Sequence, residues 1–158
     1  MNERKERRSR ERKIQKLIRD HPYLLDAELM SLKGRAERTV RSGRLDVDFE
    51  TKEGWVIVEC KISALANKDL RQLCRYLQDV SDSGKHIHKA FLVGGKPRVE
   101  LDSALLQRWP NITVIDLLYS IPNLLSFCEQ RHYFDATLET CPYDGARPIP
   151  GRDLELNY

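Results

Sequence analysis

Apolar positions change their spacing several times along the 158-residue chain, and each change marks a new element. The first stretch, "MNERKERRSRERKIQKLIRDHP", is highly charged, with Ile14, Leu17 and Ile18 forming a stripe in its second half. That spacing predicts a helix. The first ten residues have no apolar partner beyond Met1 and are expected to fray or be disordered in isolation. Pro22 ends the helix near Asp20. "YLLDAELM" then reads as a short second helix or turn.

"AERTV", "RLDVDFE" and "WVIVECKI" follow as three successive strands. The links "RSG" and "TKEG" are short and contain glycine, so both read as hairpins. In the middle strand Leu45, Val47 and Phe49 alternate with Arg44, Asp46, Asp48 and Glu50, a period of two with one polar face. From Asn67 to Val80 the spacing becomes helical, through Leu70, Leu73, Cys74, Leu77 and Val80, with Asn67 as the expected N-cap. "SDSGKH" ends this helix. "KAFLVGG" reads as a buried strand and "PRVELDSALLQRW" as a helix with Pro97 in its first turn. "NITVID" is a further strand. "LLYSIPNLLSFCEQRHYF" is expected to be helical with a break at Pro122. The Pro- and Gly-rich end, "CPYDGARPIPGRDLELNY", is expected to be irregular.

This order predicts an α/β fold with a mixed sheet, antiparallel hairpins first and parallel crossovers after, flanked by helices. Three parts are expected: a basic helix over 1–22, a core over 23–132 and a tail over 133–158. No apolar run is long enough for a membrane helix, and the charged start lacks the apolar segment of a secretory signal. The cytoplasm is therefore the expected compartment, with no membrane partner. Cys60, Cys74, Cys128 and Cys141 contain no C-x-x-C pair, and reduced thiols are expected rather than a disulfide framework.

The net charge of +3 hides an asymmetry. Residues 1–19 carry nine Lys/Arg against three Glu, which leaves the rest of the chain net negative. A basic arm on a mildly acidic body suggests a polyanion partner. Arg7, Arg8, Arg12 and Lys16 are its candidate phosphate contacts, with Arg44 and Arg75 further along. The plainer alternative is a solvated helix laced by pairs such as Glu3 and Arg7. Arg44 and Arg75 could likewise simply pair with nearby acids.

One feature resists a purely structural reading. Trp55 to Val58 form a buried run, yet Glu59 and Lys61 follow on the same strand. Residues at i and i+2 share a strand face, so Glu59 and Lys61 point the same way, as do Asp46 and Asp48 on the neighbouring strand. Carboxylates this close repel, and one holds a proton unless a cation neutralises them. Asp46, Glu59 and the Cys60 backbone carbonyl would make an open half-shell for Mg²⁺, with Mn²⁺ able to substitute. Lys61 could then orient or help deprotonate a water, or offset charge at phosphorus, which is the chemistry of metal-assisted phosphodiester hydrolysis. The plainer alternative for Glu59 and Lys61 is a solvated salt bridge. Asp48 is expected to be a solvent-facing acid or a partner of Arg44.

"GRLD", twelve further residues and "ECK" together resemble the PD-(D/E)XK nuclease superfamily. "QLCRY" on the following helix matches the Q-x-x-x-Y signature of its RecB-type members. "ERKIQKLIRDHPYLL" resembles the helix and turn that precede the strands in NucS-like and Shedu-type endonucleases. The resemblance covers roughly residues 11–116. It implies a restriction-endonuclease-like core and a Mg²⁺-dependent deoxyribonuclease acting as an endonuclease in repair, restriction or defence. It implies Asp46 and Glu59 as metal ligands, Lys61 as the catalytic lysine, and Gln72 and Tyr76 lining the site. Glu11 matches an early helical glutamate used by some members. A separate DNA-binding domain like that of those relatives is not expected here, which leaves substrate choice and independent action open. A silent DNA-binding or assembly subunit of the same fold is the alternative, and an RNA nuclease or one switched on by a partner protein is another. Cleavage of both strands commonly takes two sites, so a homodimer is expected.

Other motifs point elsewhere. "CPYDG" has half of a zinc knuckle, with Asp144 in place of a second cysteine. Cys128, His132 and Cys141 could join it, but the spacing lacks a C-x-x-C pair and structural zinc takes four ligands, so zinc is not expected. His86 and His88 read as surface residues. "VGGKP" is too short for a phosphate-binding loop and reads as a tight turn.

Overall fold

The computed structural model describes residues 2–29, 32–116, 125–130, 133–135 and 138–148. A five-stranded sheet runs in chain order, β1 (Arg35–Val40), β2 (Gly43–Thr51), β3 (Gly54–Ala64), β4 (Ile87–Gly95) and β5 (Ile112–Asp116). β1, β2 and β3 are antiparallel neighbours, and β3, β4 and β5 are parallel. Parallel neighbours need crossovers. α2 (Asn67–Asp82) makes the first and α3 (Ser103–Arg108) the second. The mixed α/β architecture read from the sequence is therefore present.

Two apolar layers sandwich the sheet. On one face Ile14, Leu17 and Ile18 of α1 (Glu3–Asp20) meet Val47, Phe49, Val56, Val58, Cys60, Phe91 and Val93. On the other, Leu70, Leu73, Tyr76 and Leu77 of α2 meet Leu45, Ile57, Ala90 and Leu92. β3 is thus covered on both faces, which is why its sequence is a continuous apolar run. The charged N-terminal half of α1 carries no buried apolar residue; the helix is anchored through its second half. Two turns of 3₁₀ helix, Pro22–Leu24 and Ala27–Leu29, follow it. Among the described residues no helix is long and apolar enough to cross a membrane.

Several local expectations change. Asn67 is the first residue of α2 rather than its cap: its Oδ1 accepts the Asp102 N–H at 2.7 Å, while the Ala66 N–H donates to Asp69 at 2.9 Å. The helix expected from Pro97 begins only at Ser103, because Asp102 caps it by accepting from Ala104 and Leu105. In the stretch expected to be helical, β6 (Leu125–Phe127) and β7 (Tyr133–Asp135) form an antiparallel pair instead; residues 117–124 and 131–132 lie outside the described residues. Aromatic residues at Phe127, Tyr133 and Phe134 favour extended pairing over a helix.

The glycines of "VGGKP" do not make a tight turn. Gly94 and Gly95 end β4, where a Cβ on Gly94 would stand 2.6 Å from Leu65 Cδ2 and one on Gly95 3.1 Å from the Ser63 carbonyl. They make room for an irregularity in β3, whose pairing with β4 shifts register between Cys60 and Ala64. The bulged segment carries Lys61.

Candidate active site

The sheet opens around the acids. β2 pairs with β3 from Thr51–Gly54 to Val47–Val58 and no further, and Asp46 is skipped in the β1 ladder too, where Glu37 has φ 55°. The side-chain phase flips across the gap: Leu45 packs under α2, whereas Val47 packs under α1. The Asp46 carboxylate fills the vacated place in the ladder, with Oδ2 accepting the Cys60 N–H at 2.8 Å. Asp46 and Glu59 are thereby drawn together at the split between two strands.

The phase flip corrects the expectation that Asp46 and Asp48 share a face. Asp48 is fully buried and is held by Arg35 at 3.0 Å and Arg38 at 3.3 Å on β1, neither facing solvent nor paired with Arg44. The two guanidiniums also lie over the Trp55 ring, at 4.6 and 4.5 Å. Sequence pattern alone missed this partnership because the arginines' alignment opposite Asp48 depends on the β1–β2 register.

Glu59 is 1% exposed, and Lys61 Nζ stands 3.2 Å from its Oε1. No donor among the described residues reaches its other oxygen, Oε2, which is buried, and the Glu59 carboxyl can bond the Asp46 carboxyl only by holding a proton. A buried, unpaired carboxylate oxygen is costly. Burial first, and then the neighbouring Asp46 charge, push the Glu59 carboxyl up to about 8, against the pull of Lys61. Burial also raises Asp46, although the Cys60 N–H and Lys61 oppose it. Burial would lower Lys61, but Glu59, Asp46 and Glu11 more than offset it and keep the ammonium charged. Two buried carboxyls at the split between β2 and β3, with only one ammonium beside them, suit a hard divalent cation. The Cys60 thiol is buried in the α1-side layer, so this residue can serve such a cation only through its main chain.

α1 closes one side of the cluster. Burial raises the Glu11 carboxyl, with Lys61 opposing and Asp46 reinforcing the shift, so the three groups share one field. Arg7 lies 4.0 Å from Glu11 and donates to Ser63 Oγ at 2.9 Å. Ser63 had not been singled out, although its place two residues after Lys61 on one strand face was a usable signal.

The remaining candidates lie around this cluster. Gln72 Nε2 donates to Tyr76 Oη at 2.6 Å, and the buried Tyr76 ring rests against Gly43, where a Cβ would stand 2.8 Å from Oη. The pair bonds within itself rather than to the carboxylates. It therefore braces the start of β2 just before Asp46. Arg8 and Arg12 are exposed along α1, while Lys16 is tied to Asp20 at 2.6 Å. Arg44 and Arg75 are both exposed. Arg75 shares a shallow groove with Arg71, Arg108 and Trp109. His88 bonds Glu28 at 2.6 Å and His86 is exposed.

A scan against protein-family models and a search of curated proteins give no match. The fold, however, is shared with solved structures. A repair endonuclease from Pyrococcus abyssi matches over 65% of this chain with a TM-score of 0.52 and 21% identity. An EndoMS–dsDNA complex matches over 65% with a TM-score of 0.53 and 18% identity. The match covers 44% and 43% of those chains, respectively, less than half their length. The chain thus has a fold found in repair endonucleases.

Proposed function

We propose that this chain is a metal-dependent deoxyribonuclease of the PD-(D/E)XK type, acting as an endonuclease. The observation that carries the proposal is the split in the sheet that brings Asp46, Glu59 and Lys61 together, with Glu59 Oε2 buried and reached by no donor among the described residues. The shared fold with a repair endonuclease and with an EndoMS–dsDNA complex supports it.

Asp46, Glu59 and the Cys60 carbonyl would hold Mg²⁺ or Mn²⁺. The ion would neutralise the two carboxylates and supply Lewis-acid polarisation of a phosphodiester. Lys61 presents an ammonium beside that position, where it orients a water and offsets charge growing on the phosphate oxygens. Glu59 keeps the ammonium in place. Gln72 and Tyr76 act one step back, fixing the strand that carries Asp46. Arg7, Arg8 and Arg12 on α1, with Arg44 and Arg75, would take backbone phosphates of DNA without reading sequence. A second copy of the chain would supply the second active site for a double-strand cut, and a partner protein is the alternative requirement, as a switch.

The test is cleavage of supercoiled plasmid, linear duplex and branched or mismatched duplex, with Mg²⁺, Mn²⁺ or EDTA, by wild type and Lys61→Ala. Metal-dependent cutting that disappears in a folded, DNA-binding Lys61→Ala variant is expected. Cutting by the variant at the wild-type rate would sink the mechanism. A gel shift with no cutting by wild type would instead identify a nuclease-fold binding subunit.

A further inference from the structure

The C-terminal segment carries a second cluster whose chemistry is unlike that of the acids. Cys128, directly after β6, meets Cys141 and Asp144, and one ligand atom from each lies within 4.8 Å of the others. Cys128 is 0% and Cys141 1% exposed, and both pack against Leu24 and Ala146. All four cysteines of the chain are thiols rather than disulfide partners.

The backbone around Cys141 is shaped around its sulfur. The Gly145 N–H returns to the Cys141 carbonyl at 2.8 Å, and the Cys141 N–H donates to the Ala146 carbonyl at 2.7 Å. Gly145 has φ 72°, a region glycine enters without strain. This tight loop turns the Tyr143 and Asp144 amides onto the Cys141 sulfur. Asp144 Oδ1 takes the Ala146 N–H at 2.9 Å, while Oδ2 faces Cys128 Sγ at 3.4 Å. Burial holds the Cys141 sulfur as a thiol although those two amides pull the other way. Two buried thiols and a carboxylate gathered within 4.8 Å make a donor set that a cation can take up with release of the thiol protons, and cysteines serving only as small apolar fillers would need no carboxylate beside them. A disulfide would leave the carboxylate facing sulfur with no proton to donate.

We propose that Cys128, Cys141 and Asp144 form a zinc site that fastens the C-terminal segment to the end of α1. Two thiolates and one carboxylate select a borderline-soft ion over Mg²⁺, so this centre and the Asp46–Glu59 centre would sort cations by ligand softness. Sulfurs bound to zinc at about 2.3 Å in a tetrahedron stand about 3.8 Å apart, a spacing to which donors already within 4.8 Å of one another can close. Three protein ligands leave one position for water or a further donor. The structure also shows what would be fastened: Leu24, from the turn after α1, packs against the two-cysteine cluster, and Tyr143 meets the His21 ring edge-on at 5.7 Å. The expectation against zinc rested on the lack of a C-x-x-C pair and on the four ligands of structural zinc; folding supplies the proximity that the spacing lacks, while the fourth position falls to water or a further donor.

The test uses the full chain, purified reduced and dialysed with excess Mg²⁺ against a weak chelator, with zinc measured by atomic emission. About one zinc per chain is expected in wild type and in Asp46→Ala, whose altered residue belongs to the other centre. Cys128→Ser and Cys141→Ser should lose it, and Asp144→Ala should bind at least about tenfold more weakly. Serine variants that keep wild-type zinc would overturn the site, as would reduced wild type that takes up none from excess Zn²⁺. Because replacing a buried thiol can itself unfold the segment, alkylation of each cysteine in wild type supplies the second readout. Zinc should slow alkylation of Cys128 and Cys141 while leaving Cys60 and Cys74 unchanged. No protection, or equal protection of all four, would refute the assignment, as would a Cys128–Cys141 disulfide in the reduced protein.

Discussion

Replacing Glu59 with Gln should make the metal-free protein more stable at alkaline pH. In the folded chain the Glu59 carboxyl is raised to about 8 from an ordinary 4.5, by burial and then by Asp46. A folded-state pKa above the unfolded value favours folding fully below the unfolded pKa, and that advantage is lost as pH rises through the folded pKa. Metal-free wild type should therefore lose stability between about pH 4.5 and pH 8. The full loss is roughly 3–5 kcal/mol for a shift of this size, shared with Asp46 because the two carboxyls titrate as a pair. For a chain of this length each kcal/mol moves Tm by roughly 2–4 °C, so a fall of roughly 6–20 °C is expected. Gln cannot ionise, so Glu59→Gln should show less than about half that fall. The assay is thermal unfolding of both proteins in EDTA from about pH 5 to pH 9. Mg²⁺ or Mn²⁺ should restore wild-type stability at the alkaline end and leave the variant unchanged. Parallel pH profiles for the two proteins would refute the reasoning, because the buried acid would then carry no ionisation penalty.

Other perturbations test the surrounding framework. Gly43→Ala places a methyl 2.8 Å from Tyr76 Oη and should cost about 1–3 kcal/mol in chemical denaturation, with a loss of cleavage larger than that destabilisation alone explains. Arg35→Ala with Arg38→Ala strips the fully buried Asp48 of both partners and should cost about 3–5 kcal/mol, read as a lower denaturation midpoint. Arg8→Ala with Arg12→Ala should weaken DNA binding equally across sequences and flatten its dependence on salt by about two counterions, measured by fluorescence anisotropy. An unchanged salt slope would remove α1 from the DNA-binding surface.

Much of the fold was legible in the chain because it is written in local periodicity. The alternation in β2, the apolar run of β3 and the helical stripe of α2 each follow from burying one or two faces of a regular element. Gly-containing links of three and four residues left hairpins as the simple solution for β1 to β3, and the helices that follow allowed only parallel crossovers. Asp46, Glu59 and Lys61 stood out for the same reason: charge at the end of a buried strand conflicts with burial unless something neutralises it. The C-terminal strands were not legible, since three-residue strands carry almost no periodic signal.

What the tertiary structure alone decided is register, and register depends on pairing between segments distant in sequence. A strict period of two puts Asp46 and Asp48 side by side; the interrupted ladder at Asp46 sends one to the Cys60 amide and the other to two arginines. The same holds for Gly94 and Gly95, whose role appears only when the bulge carrying Lys61 packs against them. It holds for Cys128 and Asp144 as well: sixteen positions separate them in sequence, and the fold sets them 3.4 Å apart. Sequence pattern named the residues able to do chemistry, while non-local pairing, which no local pattern encodes, decided which of them meet.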